Sequence, residues 1–310
     1  MSRILVTPRS LTASPHPAVE AMRERGYEII YCKAGSTPSE DELVRLAPGV
    51  VGWLAGVEPV SAAVITAARE LRVISRNGVG VDNLPLSLLA ERRIALRIAN
   101  GANAHGVAEL TIALTLAAIR QITLVDSGIK SGKWPRKIGR EIHGRTVGVV
   151  GYGAIGREVA RLVESLGARP IVHDVVSGFA EKASGVRAVD LATLIAEAEI
   201  ITLHCPASAD GSRIFGAAQF KASRRGLVLV NTARASLVDE AALLEALDSG
   251  QVASYAVDVY PEEPPTDLRL AGDPRVIATS HIGGFTEESV NRATTIAVQN
   301  LLESLEGEHL

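Results

Sequence analysis

The chain has 310 residues, enough for two domains, and 47% of them are hydrophobic, which supplies packed cores and excludes a disordered chain. Charge is nearly balanced, 32 basic against 35 acidic residues, so neither nucleic acid nor an anionic membrane surface is expected as a partner. Two cysteines, Cys32 and Cys205, lack metal-ligand spacing, and a reducing, cytoplasmic setting with no disulfide framework and no metal is expected.

In chain order, the N-terminal MSRILVTPRS carries no apolar stretch of signal-peptide length. Strand candidates follow at residues 3–7, 28–31, 50–55, 72–75 and 95–99. They are apolar rather than alternating, as strands of a parallel sheet covered on both faces are. A helix is expected from Asn103, read as its N-cap, through AHGVAELTIALTLAAIRQ. It is apolar on most faces, which predicts burial between domains or subunits. Its apolar run is too short to span a bilayer and contains Glu109. The stretch SGKWPRKIGREIHGR (131–145) reads as a loop. Further strands are expected at 146–151, 169–174, 200–205, 227–232, 255–260 and 276–281. A last helix, TEESVNRATTIAVQNLLESLEG, is expected to start at a cap made by Thr286 with Ser289 and to return to the first unit. Strand and helix alternate almost throughout, so the fold class is α/β with two parallel sheets.

Gly151, Gly153 and Gly156 form G-x-G-x-x-G directly after a strand and at the head of a helix. The first glycine allows the tight turn, the second lets the backbone approach a pyrophosphate, and the third lets helix and strand pack closely. The helix N-terminus offers N–H groups to phosphate, and Arg157 stands close by. The next strand ends in Asp174, placed to accept hydrogen bonds from ribose hydroxyls. A carboxylate there repels a 2′-phosphate, and no Arg or Lys follows at once, so NAD is expected over NADP.

Three polar residues stand at or just after later strand ends: Arg234, Glu263 and His281. Carboxyl ends of strands face the ligand crevice in an open α/β sheet. A guanidinium there clamps a carboxylate, and an imidazole held by a carboxylate exchanges a proton with an alcohol. These parts match hydride transfer between a nicotinamide and a 2-hydroxy or 2-oxo acid. Each residue alone also fits a plain structural role, an ion pair, a solvated loop acid or a packed histidine.

The chain resembles the D-isomer-specific 2-hydroxyacid dehydrogenase family, nearest to phosphoglycerate dehydrogenases, over nearly its whole length. The resemblance is carried by NGVGVDN (77–83), ANGANAHGVAELT (99–111), VGYGAIGREVA, LHCP (203–206), NTARA, DVYPEEPP and HIGG. It implies a Rossmann-type doubly wound parallel sheet domain, residues 100–285, inserted into a smaller flavodoxin-like α/β domain for substrate, residues 1–99 with 286–310. The active site is then expected in the cleft. It implies Arg234 as the catalytic arginine, Glu263, which precedes Pro-Pro, as the acid, and His281 as acid/base. It places Gly151, Gly153, Ala154, Ile155, Gly156, Asp174, Cys205, Thr232, Asp258 and Gly284 at the cofactor, Asp258 near the nicotinamide amide. Backbone N–H groups at Val79 and Gly80, with Arg234, are expected to hold the substrate carboxylate. Arg76 matches a basic substrate-side position, with a solvated surface arginine as the other reading. The helix from Asn103 is implied to form a homodimer interface, and Lys133, Arg136 and Lys137 are candidates to reach a neighbouring subunit.

Two positions depart from the pattern. Ala235 replaces the glycine that usually follows the arginine, and the Arg-Ser-x-Thr segment of phosphoglycerate-type members reads WLAGVEP (53–59) here. The substrate is expected to be a D-2-hydroxy acid, with 3-phosphoglycerate as one candidate and glyoxylate or hydroxypyruvate as the reductase alternative. Phosphite oxidation is a remoter option, and an NAD-sensing corepressor-like interaction protein is the alternative of another class. The sequence given holds no C-terminal regulatory domain, so serine-type feedback is not expected.

Overall fold

The computed structural model describes residues 2–307 apart from Pro15, Ser177, Ser184 and Ala209. The chain divides into two compact units, residues up to Asn103 together with those from Thr286, and Ala104–Phe285.

The first unit runs β1 Arg3–Val6, α1 Arg9–Ala13, α2 Pro17–Glu24, β2 Glu28–Tyr31, α3 Glu40–Leu46 and β3 Val50–Ala55. It continues with α4 Ala62–Ala67, β4 Val73–Arg76, α5 Leu86–Glu91 and β5 Ala95–Ile98. The second unit opens with α6 Ala104–Arg120, α7 Ile122–Lys130, β6 Thr146–Val150, α8 Ala154–Ser165, β7 Arg169–His173 and α9 Phe179–Lys182. Then come β8 Arg187–Ala188, α10 Leu191–Glu197, β9 Ile200–Leu203, α11 Ala217–Ala222 and β10 Leu227–Asn231. A 3-10 turn at Ala235–Leu237, α12 Glu240–Asp248, β11 Val252–Val257 and β12 Val276–Ala278 complete it, and α13 Glu287–Glu306 returns to the first unit.

The first sheet has the order β2-β1-β3-β4-β5 and the second β12-β11-β10-β9-β6-β7-β8, with every pairing parallel. These are the flavodoxin-like order and the Rossmann order extended by one strand. In the second sheet the order reverses between β6 and β9, so the crevice beyond their carboxyl ends is where a nucleotide belongs.

Side-chain alternation explains the uninterrupted apolar runs. In β1, Ile4 and Val6 face α13 through Val298, Leu301, Leu302 and Leu305. Leu5 faces the other way, with Trp53 and Ile74, onto Leu43, Val64, Ile65 and Leu89 of α3, α4 and α5. Each fully buried aliphatic chain contributes about 1.5–3 kcal/mol, so α13, beside Leu11 of α1 and Val19 and Met22 of α2, is a principal cover for this face of the first sheet. Helix starts are set by side-chain caps: Ser39 to Glu42 N at 3.3 Å, Asp190 to Thr193 N at 2.7 Å and Thr286 to Ser289 N at 3.1 Å.

Three elements differ from the sequence reading. Residues 122–130, unassigned between the expected helix and the loop at 131–145, form α7; Gln121 takes φ +56° and breaks the helical run without ending it. β8 is two residues long and carries no readable period. β11 begins three residues early and ends at Val257, with Asp258 N–H on Asn231 O at 3.1 Å as the last bond between β11 and β10. α6 lays its buried face on α8, β10 and β11 of its own unit. Among the described residues no single helix is long and apolar enough to cross a membrane.

Candidate active site

The glycine loop joins β6 to α8. A methyl group at Gly156 would lie 1.9 Å from the Gly151 carbonyl oxygen, so only glycine fits. Gly151 has φ +92° and rests on the backbone of His204 and Cys205, 2.6 Å from where its own Cβ would be. A Cβ at Gly153 would meet nothing within 4 Å, which leaves open space above the N-terminus of α8. Gly153 and Ala154 are exposed and Ile155 is half-buried. The loop therefore has the cradle a pyrophosphate needs: free helix-start N–H groups and no side chain over them.

Asp174 follows β7. Its Oδ2 accepts from Tyr152 N at 2.6 Å and its Oδ1 from Val176 N at 2.9 Å. Each oxygen keeps a lone pair, which suits a ribose diol. The Arg157 side chain turns back onto Tyr152 O at 3.4 Å. The Cys205 thiol is pushed up by burial, so it stays a neutral wall group. Thr232 is buried, with its Oγ1 3.0 Å from Thr111 Oγ1 on α6.

Three adjacent parallel strands, β10, β11 and β12, carry the next residues just past their carboxyl ends. After β10, Arg234 caps the 3-10 turn and its Nη1 donates to Ala233 O at 2.7 Å. Ala235 opens that turn, and among the described residues only Arg93, Gln121 and His281 are non-glycines with positive φ. The methyl group is thus accommodated at negative φ, and the missing glycine costs nothing there. After β11, Glu263 accepts from Tyr260 N at 3.1 Å through Oε1. After β12, His281 Nδ1 lies 2.9 and 2.8 Å from the two oxygens of Glu263. The adjacent Glu262 instead takes the hydroxyl of Thr266 at 2.7 Å. Among the described residues no protein group bonds His281 Nε2, and the side chain is half-exposed.

Asp258 was read from the sequence as a cofactor contact. Its carboxylate here organises the histidine loop: Oδ1 accepts from Thr279 Oγ1 at 2.7 Å and Ile282 N at 2.9 Å, and Oδ2 from Gly283 N at 2.8 Å. Tyr260 OH adds a bond to Thr279 O at 2.9 Å. These tethers hold His281 at φ +55°, a left-handed conformation that a non-glycine residue adopts at some cost. In the HIGG stretch the bonds to Asp258 come from Ile282 and Gly283, next to Gly284.

In the first unit, Val79 and Gly80 lie half-buried in the loop after β4. Among the described residues their N–H groups donate to no protein acceptor. Arg76, the last residue of β4, is only 5% exposed, so it is not a solvated arginine.

Sequence reasoning missed Asn231, Tyr260, Thr279, Gly283 and Glu58, all of which brace the candidate residues. Asn231, Tyr260 and Gly283 had a visible signal, their places in NTARA, DVYPEEPP and HIGG; Thr279 and Glu58 had none.

Two parallel sheets, a dinucleotide cradle and a carboxylate-held histidine past a strand end define an NAD-linked dehydrogenase architecture. A family model described as "D-isomer specific 2-hydroxyacid dehydrogenase, NAD binding domain" matches residues 112–283. The chain belongs to that family, and its cofactor is NAD. It is 38% identical over 304 residues to a D-3-phosphoglycerate dehydrogenase of Archaeoglobus fulgidus, covering 96% of this chain and 57% of that one. It is 36% identical over 272 residues to a hydroxypyruvate reductase of Thermotoga maritima, covering 86% and 88%. The chain thus spans about half the length of the phosphoglycerate dehydrogenases it matches. Among solved structures, the TT0316 protein of Thermus thermophilus superposes with a TM-score of 0.88 at 33% identity, covering 98% of this chain and 97% of that one.

Proposed function

We propose that the protein is an NAD-dependent oxidoreductase that interconverts a D-2-hydroxy acid and its 2-oxo acid. The observation that carries the reading is the His281 imidazole, gripped at Nδ1 by Glu263 and open at Nε2. Bound NAD supplies or accepts the hydride at the 2-carbon. In the reductive direction, protonated His281 delivers its Nε2 proton to the carbonyl oxygen. Glu263 fixes the ring so that Nε2 is presented outward. Arg234 pairs with the substrate carboxylate and polarises the carbonyl. The N–H groups of Val79 and Gly80 are suited to a carboxylate oxygen. In oxidation, neutral His281 takes the hydroxyl proton and the other roles are unchanged.

A second reading narrows the substrate to one without phosphate, such as hydroxypyruvate or glyoxylate. The segment after β3, where phosphoglycerate-type members carry Arg-Ser-x-Thr, here holds a buried acid, Glu58. An anionic group there would meet no cationic side chain from residues 55–59.

Self-association as a homodimer is supported by exposed apolar side chains on and after α7: Ile122, Ile129, Trp134 at 81% and Ile138 at 97%. A cytoplasmic setting is supported by two free cysteines, Cys32 and Cys205. Light scattering that finds a monomer at micromolar concentration removes the dimer.

NADH oxidation with phosphohydroxypyruvate, hydroxypyruvate, glyoxylate and pyruvate tests the whole reading. Turnover of one or more is expected. NADH binding without turnover of any would point to the sensing, corepressor-like class.

A further inference from the structure

Arg76 and Glu58 form the least solvated charged cluster of the first unit, and the reaction proposed above does not use them as substrate contacts. Arg76 Nε donates to Gly80 O at 2.7 Å and Nη1 to Ala55 O at 3.2 Å. Ala55 O also accepts from Asn77 N at 2.9 Å, so the end of β3 and the start of the loop share one anchor. The loop is tied twice more, by Ala99 N to Gly78 O at 2.9 Å and Thr294 Oγ1 to Asn77 Oδ1 at 3.4 Å. A trans peptide sets its C=O and N–H on opposite sides. Drawing the Gly80 carbonyl onto Arg76 therefore turns the Val81 N–H away from the guanidinium.

Glu58 is 1% exposed. Its Oε1 accepts from Gly56 N at 3.0 Å and from the Thr7 hydroxyl, and its carbonyl accepts from Asn83 Nδ2 at 2.6 Å. Thr7 Oγ1 in turn takes Trp53 Nε1 at 2.9 Å. The cluster so joins the ends of β1, β3 and β4. Burial to this degree disfavours the charged carboxylate, and donors and positive charge nearby offset that. Burial raises its pKa, while hydrogen bonds from Thr7, Gly56 and its own backbone, and then the charge of Arg76, work against that rise.

We propose that Arg76 is a positioning residue: its guanidinium, turned inward and balanced by Glu58, sets the conformation of the Asn77–Gly80 loop, and it does not touch substrate. The loop then binds anionic oxygen through backbone N–H groups whose direction Arg76 fixes. This replaces the sequence assignment of Arg76 as a substrate contact. Only its kinetic consequence rests on the functional reading above.

The test uses the full chain with Arg76→Met, Arg76→Lys and Glu58→Gln. Hydrogen exchange at residues 77–83, without substrate, is expected to speed up about tenfold or more in Arg76→Met, with residues 146–260 unchanged. Arg76→Lys, which keeps the charge and one donor, is expected to fall between, and Glu58→Gln to follow Arg76→Met in weaker form. In kinetics, KM is expected to rise by one common factor, about 10- to 100-fold, for hydroxypyruvate and phosphohydroxypyruvate alike, with NADH affinity kept. Unchanged exchange in the Arg76 variants, or a loss confined to the phosphorylated substrate, overturns the proposal. If Arg76→Met does not fold, Arg76→Lys and Glu58→Gln decide it by the same readouts. A wild-type chain that turns over neither acid ends the functional reading, and the exchange data still judge the clamp.

Discussion

Fully buried Asn231 donates from its side-chain nitrogen to the carbonyl of Arg234 at 2.8 Å, while its side-chain oxygen accepts the N–H of Ala233 at 3.1 Å. The guanidinium proposed to meet the substrate is thus aimed from a strand end that does not itself touch it. Asn231→Ala leaves two backbone groups without partners, a loss of about 1–3 kcal/mol each when buried. We expect kcat/KM to fall about 10- to 100-fold with NADH affinity kept, as read by steady-state kinetics and NADH fluorescence titration. Asn231→Asp, which keeps the acceptor alone, should fall between. Equal damage to NADH binding would mean that Asn231 supports the cofactor wall instead.

Replacing His281 removes the only proposed proton donor. His281→Ala is expected to lower kcat about 10²- to 10⁴-fold with the NADH dissociation constant unchanged. Glu263→Ala should cost less, because Asp258 and Tyr260 still hold the loop. A His281→Ala chain with near wild-type kcat removes the residue from the mechanism.

The two glycines of the cofactor loop should fail in different ways. At Gly156 a methyl group collides with the Gly151 carbonyl, so Gly156→Ala is expected to lower Tm measurably. At Gly153 nothing lies within 4 Å, so Gly153→Ala should leave Tm unchanged and raise the Kd for NADH about tenfold or more by filling the pyrophosphate's space. Asp174 should favour NAD over NADP in kcat/KM, because its charge repels a 2′-phosphate. A preference for NADP would overturn that assignment.

His204 sets a pH signature of stability. Both ring nitrogens are buried without a hydrogen-bond partner, as is Thr202 Oγ1 on the same face of β9. Burial pushes the imidazole down to about 3 from its usual 6.5. Below pH 6.5 the unfolded chain binds a proton here that the folded chain refuses. Stability from this group is therefore whole above pH 6.5 and is lost as pH falls towards 3, by about 1.4 kcal/mol per pH unit. Denaturant unfolding at pH 4 to 6.5 should show a slope smaller by one proton in His204→Leu. Identical slopes in the two chains would contradict the assignment.

Local pattern carried a large part of the fold into view, and contacts between distant segments carried the rest. The apolar runs of β1, β3 and β10 are visible because both of their faces are buried. The glycine spacing and Asp174 are visible because one turn of backbone geometry demands them. Glu263 could be chosen over Glu262 by the Pro-Pro that follows it. What Asp258 and Glu58 bond to was not readable: Asp258 grips residues 24 and 25 positions away, and Glu58 meets Thr7 across 51. Arg76 shows the same limit, since its type and place fit a surface, a substrate and an internal clamp equally well until its partners are known. Gln121, which separates α6 from α7, carries no composition signal for its left-handed backbone.

The cover that α13 provides has a consequence for synthesis. Ser75 on β4 donates to Ala297 O at 2.7 Å in a buried contact, yet 222 residues separate the two. At about 5–20 residues per second, a ribosome needs on the order of 10–45 s to bridge that gap. Through that interval α1 and α2 cover only part of that face of the nascent first sheet, which still lacks the α13 side chains, while the second unit draws its strands and helices from within Ala104–Phe285. The middle of the chain should thus be protease-resistant on the ribosome before the beginning is, and the early strands are the natural target for a chaperone.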